Sequence, residues 1–234
     1  MTRPAQKRRE RFFVEQAAWL LGKTWTLEED REHPDFIVTD GKQRFGLEVC
    51  EIFAGPQDRA GSVMKRLESS VHRQLETLRD QYEAVTPTML RVQIVGRLSP
   101  ENMADIVPAL VAEDLASKPV GHHLVIDHRN GLRLHVTKAF RPEWFSVNHR
   151  VGWVDRNPLP IIVDAIKKKS NELERYCAAA GPDTRLLLVA DRIHNSGKLM
   201  LDDAALPDTE GFETVYVFPY PEPVMIFAAK RDAA

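Results

Sequence analysis

Apolar positions along this chain recur at two spacings, and the switches between them mark out its elements. Over residues 5–22, Phe12, Phe13, Ala17, Leu20 and Leu21 return at helical spacing, and Gly22 ends the run. Residues 24–27 read as a short first strand. The period then drops to two. Phe36, Val38, Phe45, Leu47 and Val49 fall on one face of a β-hairpin, with Asp40-Gly41 as its turn. Gly55-Pro56 and Gly61 punctuate a loop. Val63, Leu67, Val71, Leu75 and Leu78 then define a long polar helix over about 62–83, with Ser62 at its cap. Residues 89–95 alternate and stop at Gly96, which predicts a strand. Ser99-Pro100-Glu101 opens a helix that runs to about residue 117.

The second half begins with another hairpin, 123–129 and 132–136, around an Asn130-Gly131 turn. Residues 138–157 have no clear period. They mix Phe140, Trp144, Phe145 and Trp153 with Arg141, His149, Arg150 and Arg156. The tryptophans are expected to anchor this segment to the core; stacking of unpaired bases is the functional alternative. A helix over 159–177 and strands over 184–190 and 214–218 complete the reading. Neither an internal repeat nor a clear linker stands out. The expectation is one α/β (α+β) domain over 1–234, a central mixed sheet flanked by helices, with an inserted β-hairpin around 120–157.

The first hairpin carries the chemistry. With Asp40 and Gly41 as the loop, Thr39 faces Lys42 and Asp35 faces Gly46. Glu48 is then the diagonal neighbour of Asp35, roughly 7–8 Å away along the backbone. Both carboxylates lie opposite the apolar set, and Gly46 is expected to leave space in front of them. A one-residue slip would bury both acids among the apolar side chains, so the pattern itself argues for their sharing the other face.

Composition bounds the function. The chain has 234 residues, 43% hydrophobic and 28% charged, with a formal net charge of −2, the values of an ordinary globular protein. The charge gives no global attraction to nucleic acid, so any such binding needs a local patch. The run Lys7, Arg8, Arg9 and Arg11 reads as a solvated helix end. No apolar run reaches the ~20 residues that span a bilayer. The first ten residues lack an apolar signal region, so a cytoplasmic protein without membrane association is expected. Cys50 and Cys177 do not make a disulfide framework.

Pro34-Asp35 at the start of one strand and Glu48-Val49-Cys50 on the next resemble the PD-(D/E)XK nuclease superfamily, in which the last position is a lysine. The resemblance covers about residues 8–95 directly, and the later helix and strand over about 158–191 also fit. It implies a restriction-endonuclease-like core of order α-β-β-β-α-β. It also implies a metal-dependent phosphodiester hydrolase acting on DNA or RNA, in a family where many members work as homodimers. Such chemistry needs a divalent ion to offset phosphate charge and ionise water, and Mg²⁺ or Mn²⁺ prefers carboxylate oxygen. Asp35 and Glu48 are the expected metal ligands, with the Val49 carbonyl as a third oxygen.

Many members add an acid from the first helix. Glu10 lies beside Phe13, Val14 and Ala17 at 100° per residue and is preferred over Glu15, which points away. Cys50 cannot supply the lysine's positive charge. Some members carry that lysine on a neighbouring helix, and here Lys169 or Lys65 would do so. Lys169 falls in the stripe Ile162, Ile166, Lys169, Leu173, Tyr176, where it must snorkel out or find an acid. The alternative is a catalytically degenerate member that binds nucleic acid or protein.

Other clusters are weaker. His122, His123, His128 and His135 gather at the second hairpin without the spacing of a zinc motif and read as ordinary polar positions. Cys50 and Cys177 read as small buried apolar residues, and no histidine is placed to make Cys50 a nucleophile.

Overall fold

A computed structural model describes residues 4–28, 33–58, 61–147, 154–201 and 208–228. The elements run α1 (Pro4–Leu20), β1 (Trp25–Glu28), β2 (Phe36–Asp40), β3 (Gln43–Glu51), β4 (Gln57–Asp58), β5 (Gly61–Ser62), α2 (Val63–Glu83), β6 (Leu90–Val95) and α3 (Pro100–Ala112). They continue with β7 (His123–Asp127), β8 (Arg133–Lys138), β9 (Glu143–Val147), α4 (Leu159–Ser170), α5 (Leu173–Ala180), β10 (Thr184–Val189), β11 (Thr214–Phe218) and β12 (Met225–Ala228). The fold is α+β, and the chain divides into two compact units, 1–64 with 153–234 and the interposed 65–152. The interposed unit is wider than the 120–157 segment read from the sequence.

The first unit is built on a six-stranded mixed sheet of order β1-β2-β3-β10-β11-β12. β1, β2 and β3 pair antiparallel, β3, β10 and β11 pair parallel, and β12 closes the edge antiparallel. Period-two alternation sends successive side chains to opposite faces. On one face, Phe36, Val38, Phe45, Leu47, Val49, Leu187 and Val189 pack with Phe13, Val14 and Ala17 of α1. On the other, Leu186, Leu188, Val215 and Val217 pack with Ile162 and Ile166 of α4 and Tyr176 of α5. Burying each such large side chain contributes roughly 1.5–3 kcal/mol, so both helical layers are held by the same alternation.

The first hairpin differs from expectation in register. Asp40 pairs with Gln43 and Thr39 with Arg44, so the two-residue loop is Gly41-Lys42. Only Gly41 has positive φ, at 61°, which is the pattern of a II′ turn with glycine at its first central position. A shift of two residues preserves the faces. It brings Asp35 level with Glu48 instead of Gly46, since Phe36 pairs with Leu47.

The expected single helix over 159–177 is two, α4 and α5, jointed at Asn171 and Glu172. The strand β12 was not legible, because Met225-Ile-Phe-Ala lacks polar alternation.

The second unit holds a four-stranded sheet of order β7-β8-β6-β9, with β9 parallel to β6. Leu90, Val92, Ile94, Leu134 and Val136 cover one face of it with Leu75, Leu78 and Tyr82 of α2 and Ile106 and Leu110 of α3. Ser99 caps α3 in a capping box: its hydroxyl accepts from the Asn102 amide at 3.4 Å and the Asn102 side chain accepts from the Ser99 amide at 2.8 Å. That helix stops at Ala112, and a separate 3-10 turn spans Leu115–Ser117 after Asp114 at φ 44°. The Asn130-Gly131 hairpin forms, but its first pair is Asp127 with Arg133, so the loop is 128–132 rather than two residues.

Residues 143–147 of the segment without a clear period form β9. Trp144 packs on Tyr82 with ring centroids 5.9 Å apart, the expected anchor, while Phe140 is exposed. His149, Arg150 and Trp153 lie outside the described residues. No helix among the described residues is long and apolar enough to cross a membrane.

Candidate active site

Asp35 and Glu48 meet at one end of the central sheet, and neither is an exposed strand carboxylate. Asp35 is 9% and Glu48 3% exposed. The Asp35 amide donates to Glu48 Oε2 at 3.2 Å, and the Val49 amide donates to Asp35 Oδ2 at 3.0 Å. The amides of Gly46 in β3 and of Ile52 just after it bond Asp183 and Val189 on the side where β10 runs, so by strand alternation Val49 presents its amide on the other edge, towards Asp35. The contact this gives is the Val49 amide on Asp35 Oδ2.

Lys169, at the end of α4, donates to Glu48 Oε1 at 2.6 Å. The lysine in the apolar stripe has found an acid, as a half-buried ammonium must. Glu10 also reaches this place. It is 7% exposed, while Glu15 is exposed and pairs with Arg11. Lys65 lies in the first turn of α2, within the second unit.

Gly46 does not leave the open space expected of it. A Cβ there would stand 2.7 Å from Ala180 Cβ and 2.9 Å from Pro34 Cγ. The missing side chain lets Ala180 of α5 and Pro34 close over the strand.

The run Lys7–Arg11 is not simply a solvated helix end. Lys7 donates to Asp35 Oδ1 at 2.6 Å and stands 3.4 Å from Glu10 Oε2. Arg9 holds Glu51 through two bonds, 2.8 and 3.0 Å, and reaches buried Asp191 at 2.9 Å. Sequence reading missed Lys7. Its signal was the i,i+3 spacing to Glu10, which places both on the edge of α1 that turns into the sheet.

The electrostatics follow from burial. Burial, then the neighbouring Asp35 charge, pushes the Glu48 carboxyl up to about 7 against the opposing pull of Lys169. Glu10 is raised for the same two reasons. Burial opposes the charged Lys169, yet the Glu48 contact outweighs it and holds that ammonium above its ordinary value. Burial and the Glu48 and Glu172 carboxylates push the Tyr176 phenol up, so it remains protonated beside Glu48. Burial also raises the half-buried Cys50 thiol. An un-ionised thiol is a poor nucleophile.

Among the described residues, no three His, Cys, Asp or Glu side chains are grouped so as to hold a metal ion by themselves. His123 stacks on His135 at 5.8 Å in the second unit, and Cys177 contacts Thr184 Oγ1 at 3.6 Å. The donor set at Asp35 fits a hard cation in kind: carboxylate oxygens, one of which, Glu10 Oε2, is buried without a hydrogen-bond partner. Magnesium is commonly held by one or two carboxylates, with waters and substrate phosphate filling the rest of its shell.

No protein-family model matches the chain, no curated protein matches it, and no solved structure matches it.

Proposed function

We propose that this protein is a PD-(D/E)XK-like, metal-dependent phosphodiester hydrolase acting on DNA or RNA, with a restriction-endonuclease-like core in its first unit. One observation carries the reading: buried Asp35, just before β2, lies beside buried Glu48 of β3, and Lys169 from α4 contacts Glu48 at 2.6 Å. Within the first unit the order α1-β1-β2-β3-α4-α5-β10, with β10 parallel to β3, supports it; of the stretch 8–95 that carries the resemblance directly, α2 and β6 contribute instead to the second unit, and the later helices and strand take their place.

Mg²⁺ or Mn²⁺ held by Asp35 and Glu48, with the Val49 carbonyl and Glu10 to assist, would offset phosphate charge and favour ionised water. The protein's own residues do the rest. The Val49 amide fixes the Asp35 carboxylate by its Oδ2, and Lys7 lies on its Oδ1. Lys169 brings the positive charge that Cys50 cannot, beside the acid pair where a phosphate would be attacked.

Purified protein with Mg²⁺ or Mn²⁺ is expected to cut DNA or RNA substrates. Asp35→Asn, Glu48→Gln and Lys169→Met should each lower the rate by about 100-fold or more, as loss of a transition-state contact does. An intact wild-type protein that leaves a varied panel of single- and double-stranded substrates uncut would sink the reading. A second reading, a catalytically degenerate nucleic-acid or protein binding module, is favoured by Lys7 and Lys169 each neutralising one acid. It expects binding without cleavage, retained in Asp35→Ala.

A further inference from the structure

Asp35, Glu48 and Glu10 bring six carboxylate oxygens together, and the partners of four of them single out one residue. Asp35 Oδ2 accepts from the Val49 amide, Glu48 Oε2 from the Asp35 amide and Glu48 Oε1 from Lys169. Glu10 Oε1 accepts from Gln6 at 2.9 Å. The remaining two, Asp35 Oδ1 and Glu10 Oε2, lie beside Glu48 where a shared cation would sit. The Lys7 ammonium lies against both, at 2.6 and 3.4 Å.

Resting on the hydrolase reading, we propose that Lys7 is a resident counter-ion occupying the cation position between Asp35 and Glu10, which a divalent metal must displace. The geometry gives it a way out. Lys7 sits on the first turns of α1, its side chain is 26% exposed, and its four-carbon stem can swing the ammonium into water. Its ring contact with Phe36, 5.3 Å from the centroid, holds it beside the site when no other cation is present. Lys169 cannot play this part, since it contacts Glu48 on the oxygen away from Asp35's amide and comes from the opposite helical layer. Lys7 is thus a positioning residue. Its ammonium stands against Asp35 and Glu10 in the metal-free protein and makes metal affinity depend on where its own charge can go.

The test is calorimetric titration of Mn²⁺ into wild-type protein, Lys7→Met, Lys7→Gln and Lys7→Arg, with circular dichroism confirming that each is folded. An adjacent opposite charge shifts a carboxylate's cation affinity by roughly 1–3 tenfold steps, so Lys7→Met and Lys7→Gln should bind Mn²⁺ at least about tenfold tighter. Lys7→Arg keeps the charge and should stay near the wild-type affinity. Equal affinity in all four proteins overturns the proposal and leaves the hydrolase reading standing, because Lys7 is then a structural ion pair away from the cation position. Weaker binding in Lys7→Met overturns it too. Absence of Mn²⁺ binding in every variant, together with absence of cleavage, overturns both.

Discussion

Replacing Lys169 by methionine removes the cation from Glu48, and its cost should depend on pH in a way the burial dictates. Glu48 is 3% exposed and its carboxyl titrates at about 7 in the folded protein. Because that value is raised above the unfolded one, the folded state binds more protons than the unfolded state between the two. Stability therefore falls as pH rises through this window and levels off above about 7.

Without Lys169 the carboxyl moves higher still, so the variant keeps losing stability where the wild type has levelled off. Lys169 itself stays charged below its raised value and contributes no titration between pH 5.5 and 8.5, the test range chosen to bracket Glu48. At the upper pH a lone Glu48 can remain ionised, at about 3–5 kcal/mol, or take a proton. Protonation 1.5 pH units above its wild-type value costs about 2 kcal/mol and is the cheaper route. The destabilisation by Lys169→Met should thus be about 2 kcal/mol larger at pH 8.5 than at pH 5.5. Urea unfolding followed by circular dichroism, with chelator present, measures both. An equal cost at the two pH values would refute the claim that burial, rather than simple loss of packing, governs this pair.

Gly46→Ala should destabilise by about 1–3 kcal/mol, because its Cβ would collide with Ala180 and Pro34 and the α5 backbone must move; urea midpoints check this. Asp35→Ala and Glu48→Ala should each abolish Mn²⁺ binding by calorimetry, and retention of binding in either would place the ion elsewhere. Ser99→Ala removes one half of the α3 capping box and should cost about 1 kcal/mol in the second unit, read by hydrogen exchange of the α3 amides.

The pairing of the acids was legible because period two is robust: Phe36, Val38, Phe45, Leu47 and Val49 all needed one face, which forced Asp35 and Glu48 to the other. The register was not, because Asp-Gly suggests a turn with Asp40 inside it. Asp40 instead stays in the ladder opposite Gln43 and pairs with Lys23 at 3.2 Å. Lys169 was legible as a charge in an apolar stripe. The joint at Asn171 and Glu172 was not, since Leu173 and Tyr176 continue the helical spacing across it. Lys7 and Arg9 were read as a solvated helix end because a basic run at a helix start usually is one; only tertiary closure aims them at buried acids. β9 was hidden by adjacent Trp144 and Phe145, which face opposite sides of the sheet yet break a simple polar-apolar alternation.

The order of strands in the central sheet also sets a timetable for synthesis. β3 ends at Glu51, but its parallel partner β10 begins only at Thr184, 133 residues later by subtraction (184 − 51). At translation speeds of about 5–20 residues per second, that edge waits roughly 7–27 s before its neighbour emerges. During that interval the nascent hairpin offers Leu47 and Val49 on an unpaired edge, a template for pairing with another chain. The same carboxylates that later gather at the site, Asp35 and Glu48, are then unburied negative charges on that strand pair and guard it against such contacts on the ribosome.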